Sequence, residues 1–286
     1  MTLFETLAAA RHQLIAAGIR AEEAAVDVPL FACTILGWDR ARLIAERAHA
    51  TPAALEPQLS QWIARRVAHE PAAYIVGHRE FWGLDFIVSP AVLIPRPETE
   101  LIVETALEIV RTTPIDSPRI ADIGTGSGNL AVSLAYGIPS GRIIATDVSR
   151  EALAVARQNA RRHAVGDRIE FVDTAFLDGI DHVFDLIVSN PPYVKATDRP
   201  ALAPVLLHEP AIALFGGDQG LDAVGGVLDA AARALTSGGW LLMEFGFGQG
   251  DDVTVLVERQ PALRLERFRD DLQGIARTAI IQKQTP

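Results

Sequence analysis

The stretch Arg119-Ile-Ala-Asp122-Ile-Gly124-Thr-Gly126-Ser-Gly128-Asn-Leu-Ala-Val-Ser-Leu-Ala135 reads as strand, glycine-rich loop and helix in succession. Glycines there let backbone pass close to a ligand and let the helix pack tightly on a sheet. Outward from this unit the same alternation continues. Strands are expected at 119–122, 142–146, 168–172, 185–189 and 240–245, with helices such as 151–163 and 221–235 between them. Leu101, Ile102, Thr105, Ala106, Ile109 and Val110 mark a helix face just upstream. Alternation of this kind specifies an α/β fold with a mostly parallel, doubly wound sheet. Two late segments, 263–268 and 277–281, are placed to close it as a hairpin carrying an antiparallel edge.

The loop has the spacing Gly-x-Gly-x-Gly after an acid, which differs from the Gly-x-Gly-x-x-Gly of dinucleotide sites. The next strand leads to Asp147, about twenty residues past Gly128, where a carboxylate can accept both hydroxyls of a ribose. Loop and acid together point to a nucleoside-bearing cofactor. S-adenosylmethionine suits better than a dinucleotide, because it has no phosphates to seat at the helix N-terminus. A structural tight turn with a solvated Asp is the plainer alternative.

A second marker follows the apolar run Asp185-Leu-Ile-Val-Ser189: the tetrapeptide Asn190-Pro191-Pro192-Tyr193. Ligands of open α/β sheets bind at the carboxyl ends of strands. Asn190 offers a side-chain acceptor and donor, and the prolines, lacking N–H, present carbonyl oxygens only. Tyr193 adds a flat face. Such a set suits a planar NH2-bearing group, although Asn-Pro is also a common strand-ending turn.

The first part of the chain reads as helices. Thr2-x-x-Glu5 is a capping box, followed by Leu3, Leu7, Leu14 and Ile15, with Gly18 as a stop. A second helix up to Leu36 ends at Gly37, with Pro29 expected to kink or break it. Asp39 caps a short helix, and Thr51-Pro52 opens another, with Leu55, Leu59, Trp62, Ile63 and Val67 on one face. Tyr74-Ile-Val-Gly77 and Phe81-Trp-Gly-Leu-Asp-Phe-Ile-Val88 look β-like and suggest a hairpin bridging two domains. The expected organisation is a helical domain over 1–72, a hairpin linker over 73–95 and a catalytic domain over 96–286.

Apolar residues make up 49% of the 286, which is ample for packed cores. The net charge of −10 disfavours long nucleic acid as the main partner. One cysteine, Cys33 in an apolar helix segment, leaves no internal disulfide and no multi-cysteine metal site. The seven histidines show neither ligand spacing nor a triad context, so no metal is expected. No signal peptide and no membrane-spanning run is evident, and a cytoplasmic location is expected.

The cofactor loop, Asp147 and Asn190-Pro-Pro-Tyr193, in that order, resemble class I methyltransferases that methylate a planar nitrogen. Phe81-Trp-Gly-Leu and Val92-Leu-Ile-Pro-Arg-Pro-Glu-Thr-Glu100 make the chain similar to one branch, the peptide chain release factor N5-glutamine methyltransferases. That resemblance covers essentially the whole chain. It implies a Rossmann-like domain, S-adenosylmethionine as cofactor, and release factors as protein partners, with methyl transfer to the glutamine of their Gly-Gly-Gln motif. No DNA binding and no membrane contact are implied, and a monomer is expected.

By the same resemblance Gly124, Thr125, Gly126, Ser127 and Gly128 lie along the methionine portion of the cofactor, and Asp147 holds its ribose. Asn190, which also borders the cofactor, and the Pro191 carbonyl accept hydrogen bonds from the target amide, Tyr193 packs on it, and Pro192 and Leu93 line its pocket. After the third strand the family often places an acid and an aromatic residue beside the adenine. This chain has Thr174 and Ala175 there, with Asp173 and Phe176 as neighbours able to compensate. Arg96 and Glu98 either tie the linker to the sheet or touch substrate. Glu209-Pro210 and Gly216-Gly-Asp-Gln-Gly-Leu221 resemble a loop of the same family that caps the site, and a helix-entry turn explains the glycines equally well. Two other functions are compatible with parts of the pattern: an adenine- or cytosine-amino nucleic-acid methyltransferase, and a cofactor-binding protein without activity.

Overall fold

In the computed structural model, which describes residues 1–113 and 115–285, the first helix begins as its capping box requires. The Thr2 hydroxyl accepts from the Glu5 amide and the Glu5 carboxylate accepts from the Thr2 amide. Five helices follow in the first 77 residues: α1 (Leu3–Ala16), α2 (Ala21–Leu36), α3 (Arg40–Ala45), α4 (Leu55–Val67) and α5 (Ala72–Val76). Asp39 caps α3 by accepting from the Arg42 amide at 2.7 Å. Leu3, Leu14, Ala24, Val28, Phe31, Leu55, Leu59 and Ile63 form the core of this bundle, while Val67 is exposed.

Two expectations for this part are corrected. Pro29 does not break α2, which runs unbroken from Ala21 to Leu36. A proline removes one donor, and the buried Ala24, Val28, Phe31 and Ala32 hold the helix on both sides of it. Tyr74-Ile-Val76 is helical, not β: it belongs to α5, which Gly77 ends at φ 85°. Burial of Tyr74 and Ile75 outweighs the β preference of Tyr, Ile and Val, a preference that reflects packing context more than backbone.

The chain forms two compact units, residues 1–77 with 203–208, and residues 78–202 with 209–286. The second unit begins with a hairpin of β1 (His78–Phe81) and β2 (Leu84–Ile87). It continues with α6 (Glu100–Thr112), β3 (Arg119–Ile123), α7 (Asn129–Gly137), β4 (Arg142–Asp147), α8 (Arg150–Arg162), β5 (Ile169–Asp173) and β6 (Phe184–Ser189). Then come α9 (Ala211–Leu214), α10 (Asp222–Ala234), β7 (Leu235–Glu244), α11 (Gly250–Glu258), β8 (Leu263–Asp270) and β9 (Ala276–Lys283). The seven-stranded sheet has the order β5-β4-β3-β6-β7-β9-β8. All pairs from β5 to β7 are parallel, and β9 runs antiparallel to both β7 and β8. The mostly parallel sheet with an antiparallel edge is therefore as the alternation of elements requires.

Two cores sandwich this sheet. One gathers Ile102, Val103, Leu130, Leu134 and Val188 with the hairpin residues Phe81 and Phe86. The other gathers Ile187, Val224, Leu228, Leu241, Val253 and Ile281. Successive strands wind outward in both directions from β3, so the order reverses there and a crevice opens at the carboxyl ends. The ends of β3, β4, β6 and β7 bring Gly124, Asp147, Asn190 and Glu244 to one edge.

The hairpin is tied to this sheet by one carboxamide. Asn159 of α8 is wholly buried; its oxygen accepts from the Ile87 amide at 2.7 Å. Its NH2 group donates to the Ile87 carbonyl at 3.0 Å and to the Ser127 carbonyl at 2.8 Å. His163, at the end of α8, contacts the hairpin too: its Nε2 lies 2.9 Å from the Asp85 carbonyl and its ring packs on Phe86.

Candidate active site

A cavity of about 300 Å³ opens at this edge, within the size range of small-molecule sites. Its walls come from the glycine loop, the end of β4, the segment after β5, the end of β6, and the stretches 91–99 and 210–213. The lining is mostly apolar, and Arg96 and Asp147 are its only ionisable side chains among the described residues.

The loop builds one wall. Gly124 and Gly126 sit at φ 73° and 55°, and a Cβ on either would project into open space, which leaves the backbone bare towards a ligand. Gly128 is different. It does not line the cavity; at φ 80°, a Cβ on it would come within 3.0 Å of Ala156 on α8. Its part is the close packing of helix on helix, while Thr125 and Ser127 do line the cavity.

Asp122 anchors the loop from behind. Its Oδ2 accepts from the Thr125 hydroxyl at 2.7 Å and the Ala131 amide at 3.1 Å. Its Oδ1 has no hydrogen-bond partner. Burial raises the carboxyl pKa to about 7, the two hydrogen bonds oppose this, and the charge of Asp147 adds to it. A pKa raised in the folded state means that folding takes up a proton between the unfolded value, 3.8, and about 7. The contribution of this group to stability is therefore full below the lower value and is lost as pH rises through the upper one. The Asp122→Asn variant should lose this slope. Denaturant titrations from about pH 5 to 8 should show the wild type losing stability relative to the variant, with the difference level above neutrality. Parallel curves for the two proteins would contradict the assignment.

Asp147 lines the cavity in direct contact with the loop. Its Oδ2 accepts from the Gly126 amide and its Oδ1 from the Ser149 amide, each at 2.9 Å. Burial nevertheless pushes its pKa up, with a smaller push from Asp173. Each carboxylate oxygen keeps a further lone pair for a ligand hydroxyl. Beyond it, Thr174, Ala175 and Phe176 line the cavity, whereas Asp173 pairs with Arg150 at 2.5 Å. Phe176 adopts φ 49°, rare for an aromatic residue. The Thr146 hydroxyl donates to its carbonyl at 2.6 Å, and its ring lies on Gly226 of α10, where a Cβ would come within 2.1 Å. Glycine loop, carboxylate and apolar wall fit S-adenosylmethionine: bare backbone for the methionine portion, an acceptor for the ribose, and a flat surface for the base.

The other half of the cavity is made by Asn190, Pro191 and Pro192. Asn190 Nδ2 donates to the Thr99 hydroxyl at 3.0 Å, which leaves the side-chain oxygen as its free acceptor. Leu93, Pro95 and Arg96 line the cavity as well. Tyr193 does not line the cavity. Its hydroxyl donates to Glu244 Oε1 at 3.0 Å, and its carbonyl accepts from Gln249 Nε2 at 3.0 Å. Burial pushes its pKa well up, and the Glu244 charge adds to that.

Arg96 pairs with the buried carboxylate of Glu209, which also accepts from the Ile94 amide at 3.1 Å. This tie fixes the start of the segment whose Pro210, Ile212 and Ala213 close the cavity. The glycines at 216–220 form a bed under the tetrapeptide. A Cβ on Gly216 would fall 2.3 Å from the Pro192 carbonyl oxygen, and one on Gly220 would fall 2.3 Å from that of Tyr193. Sequence reasoning missed Thr99 and Glu244, and it placed Glu209 in a loop capping the site without seeing its tie to Arg96. Glu244 carried a usable signal, as an acid inside the apolar strand Trp240-Leu-Leu-Met-Glu-Phe245. Among the described residues no group of three or more His, Cys, Asp or Glu side chains is arranged to hold a metal ion. No helix among them is long and apolar enough to cross a membrane.

Comparison with known proteins places relatives of this chain in one family. Residues 99–219 match the family described as Methyltransferase small domain, and residues 5–77 match the PrmC N-terminal domain. The chain is 41% identical over 267 residues to the release factor glutamine methyltransferase of Bradyrhizobium diazoefficiens, covering 93% of this chain and 90% of the relative. It is also 41% identical over 279 residues to that of Moorella thermoacetica, covering 96% of each. Among solved structures, a methyltransferase from Pyrococcus furiosus shares the fold with a TM-score of 0.52 at 19% identity, over 79% of this chain and all of that one.

Proposed function

This chain belongs to the release factor glutamine methyltransferases, and on that premise we propose how its residues carry methyl transfer to a glutamine side chain. The enzyme transfers a methyl group from S-adenosylmethionine to glutamine of a release factor. The target is the glutamine of the Gly-Gly-Gln motif, reached in the cytoplasm. One observation carries the reading: free acceptors of Asn190 and Pro191 line the same cavity as the glycine loop and Asp147. The acidic balance of the chain, −10, favours a protein acceptor over a nucleic acid.

When bound, S-adenosylmethionine supplies a methyl group activated by its sulfonium. Asp147 holds the ribose, and the backbone of 124–127 follows the methionine portion. The glutamine nitrogen is a weak nucleophile because its lone pair is delocalised into the carbonyl. Asn190 Oδ1 and the Pro191 carbonyl accept its two hydrogens, hold it in line with the methyl carbon, and stabilise positive charge as the N–C bond forms. One of those hydrogens then leaves as a proton. Asp147, engaged by two amides, is not placed to take it first, and the Arg96 guanidinium has no acceptor, so it departs to water after transfer. Tyr193 supports the clamp from behind through Glu244.

Incubation with S-adenosylmethionine labelled in its methyl group and a purified release factor should place label on the factor. A factor whose Gly-Gly-Gln glutamine is changed to glutamate should stay unlabelled. Equal labelling of both, or labelling of tRNA or DNA instead, would refute the assignment.

A further inference from the structure

An asparagine side chain can turn over with almost no change of shape, and turning over exchanges an acceptor for two donors. For Asn190 the two states are opposite in effect. With its oxygen in the cavity it accepts from an amide nitrogen; with its NH2 there it would confront the hydrogens it must hold. The fold therefore needs a feature that breaks the tie.

We propose that Thr99 and Glu244 are positioning residues that fix the Asn190 carboxamide with its oxygen towards the acceptor nitrogen, an inference that rests on the reading of Asn190 given above. Thr99 and Glu244 are each 1% exposed, one on the turn before α6 and the other at the end of β7. The Thr99 hydroxyl lies 2.6 Å from Glu244 Oε2 and the Tyr193 hydroxyl 3.0 Å from Oε1. Burial pushes the Glu244 carboxyl pKa up, yet its Oε2 is the acceptor that faces the Thr99 hydroxyl, so the single Thr99 proton is committed to Glu244. The Thr99 oxygen then has only lone pairs to offer the group 3.0 Å away on Asn190. It attracts the NH2 end and repels the carbonyl end. Polarity thus passes from a buried acid through one hydroxyl to the carboxamide, and Tyr193 takes up the remaining carboxylate oxygen.

Removing the relay while keeping the shape should release the carboxamide. In Thr99→Val the oxygen that accepts from Asn190 is gone. In Glu244→Gln the new NH2 can donate to Thr99, which frees the threonine proton to point at Asn190 and favours the wrong orientation. Both variants should lower kcat for a release factor by about tenfold or more, with the S-adenosylmethionine Kd unchanged by calorimetry. Thr99→Ser, which keeps the hydroxyl, should restore most of the rate. The decisive arm is a double-mutant cycle. Once Asn190 is alanine, Thr99→Val should cost little further, because the group it orients is absent. A wild-type rate in Thr99→Val, or full additivity of Thr99→Val with Asn190→Ala, overturns the relay. Undiminished activity of Asn190→Ala alone would instead overturn the underlying role of Asn190, so the two failures are distinct. Should Thr99→Val fail to bind cofactor, Glu244→Gln in the same cycle gives the same discrimination.

Discussion

Replacing Asn190 by alanine is expected to lower kcat/KM for a release factor by roughly a hundredfold to a thousandfold. The expectation follows from what the residue offers and where. Its oxygen is a preoriented acceptor in a cavity with mostly apolar walls, where an interaction with developing positive charge is screened far less than in water. Alanine leaves one acceptor, the Pro191 carbonyl, for two hydrogens, so the nitrogen also loses its alignment. The loss should fall on kcat more than on binding, since the acceptor matters most as charge develops. The cofactor wall formed by Gly124, Gly126 and Asp147 is built by other strands, so the S-adenosylmethionine Kd should stay within about twofold. Initial rates of methyl incorporation and calorimetry check both halves. A kcat/KM within a few-fold of wild type would remove Asn190 from the reaction.

Gly216→Ala is expected to be nearly as severe, although residue 216 makes no contact with either reactant. Its new methyl group would stand 2.3 Å from the Pro192 carbonyl oxygen and 3.0 Å from the backbone of Gly220. These are backbone atoms that cannot rotate away. The neighbouring ladder is also committed: the Val194 amide donates to the Leu214 carbonyl at 2.9 Å, and the Gly216 amide to the Val194 carbonyl at 3.0 Å. The strain is relieved by moving 190–194 by about an ångström, and a displacement of that size at a reacting centre costs about a hundredfold in rate. Overpacking of this kind also destabilises by about 1–3 kcal/mol, visible as a lower Tm. Gly225→Ala is the control, since a Cβ there, in the helix α10, meets nothing within 4 Å and alanine favours helix. Normal kcat in Gly216→Ala would show that the bed under the tetrapeptide is compliant.

The parts of the fold that were legible in the sequence share a cause. Runs such as Asp185-Leu-Ile-Val-Ser189 are apolar because parallel strands are covered on both faces, and the helices between them repeat their apolar residues at helical spacing. Tyr74-Ile-Val76 misled because three residues carry no period, and only burial in the bundle decides their state. Pro29 misled because its local cost is fixed whereas the packing that offsets it comes from residues on other helices. The site divides in the same way. The glycine loop and the tetrapeptide are continuous, so their chemistry can be read in place. Gly128 stands in the loop yet serves helix packing, and Tyr193 stands in the tetrapeptide yet turns to Glu244. Thr99, Glu209 and Gly216 stand in segments that resemble the family, and Glu244 is an acid in an apolar strand, but they act through partners between 24 and 145 residues away, and no local pattern names those partners.

Asn159 gives the hairpin a bearing on the cofactor loop that its sequence position hides. One carboxamide holds both polar groups of Ile87 and the carbonyl of Ser127, so both of its N–H donors and its oxygen are engaged by two stretches of chain. If Ser127 shifts, Ile87 loses a partner, and the reverse holds equally. Linkage makes that relation reciprocal in free energy: ordering of the loop by a ligand and rigidity of β2 support one another. The side chain is also a chemical point of failure. In Asn159→Asp a carboxylate would face two carbonyl oxygens in a wholly buried site, uncoupling hairpin and loop in one substitution.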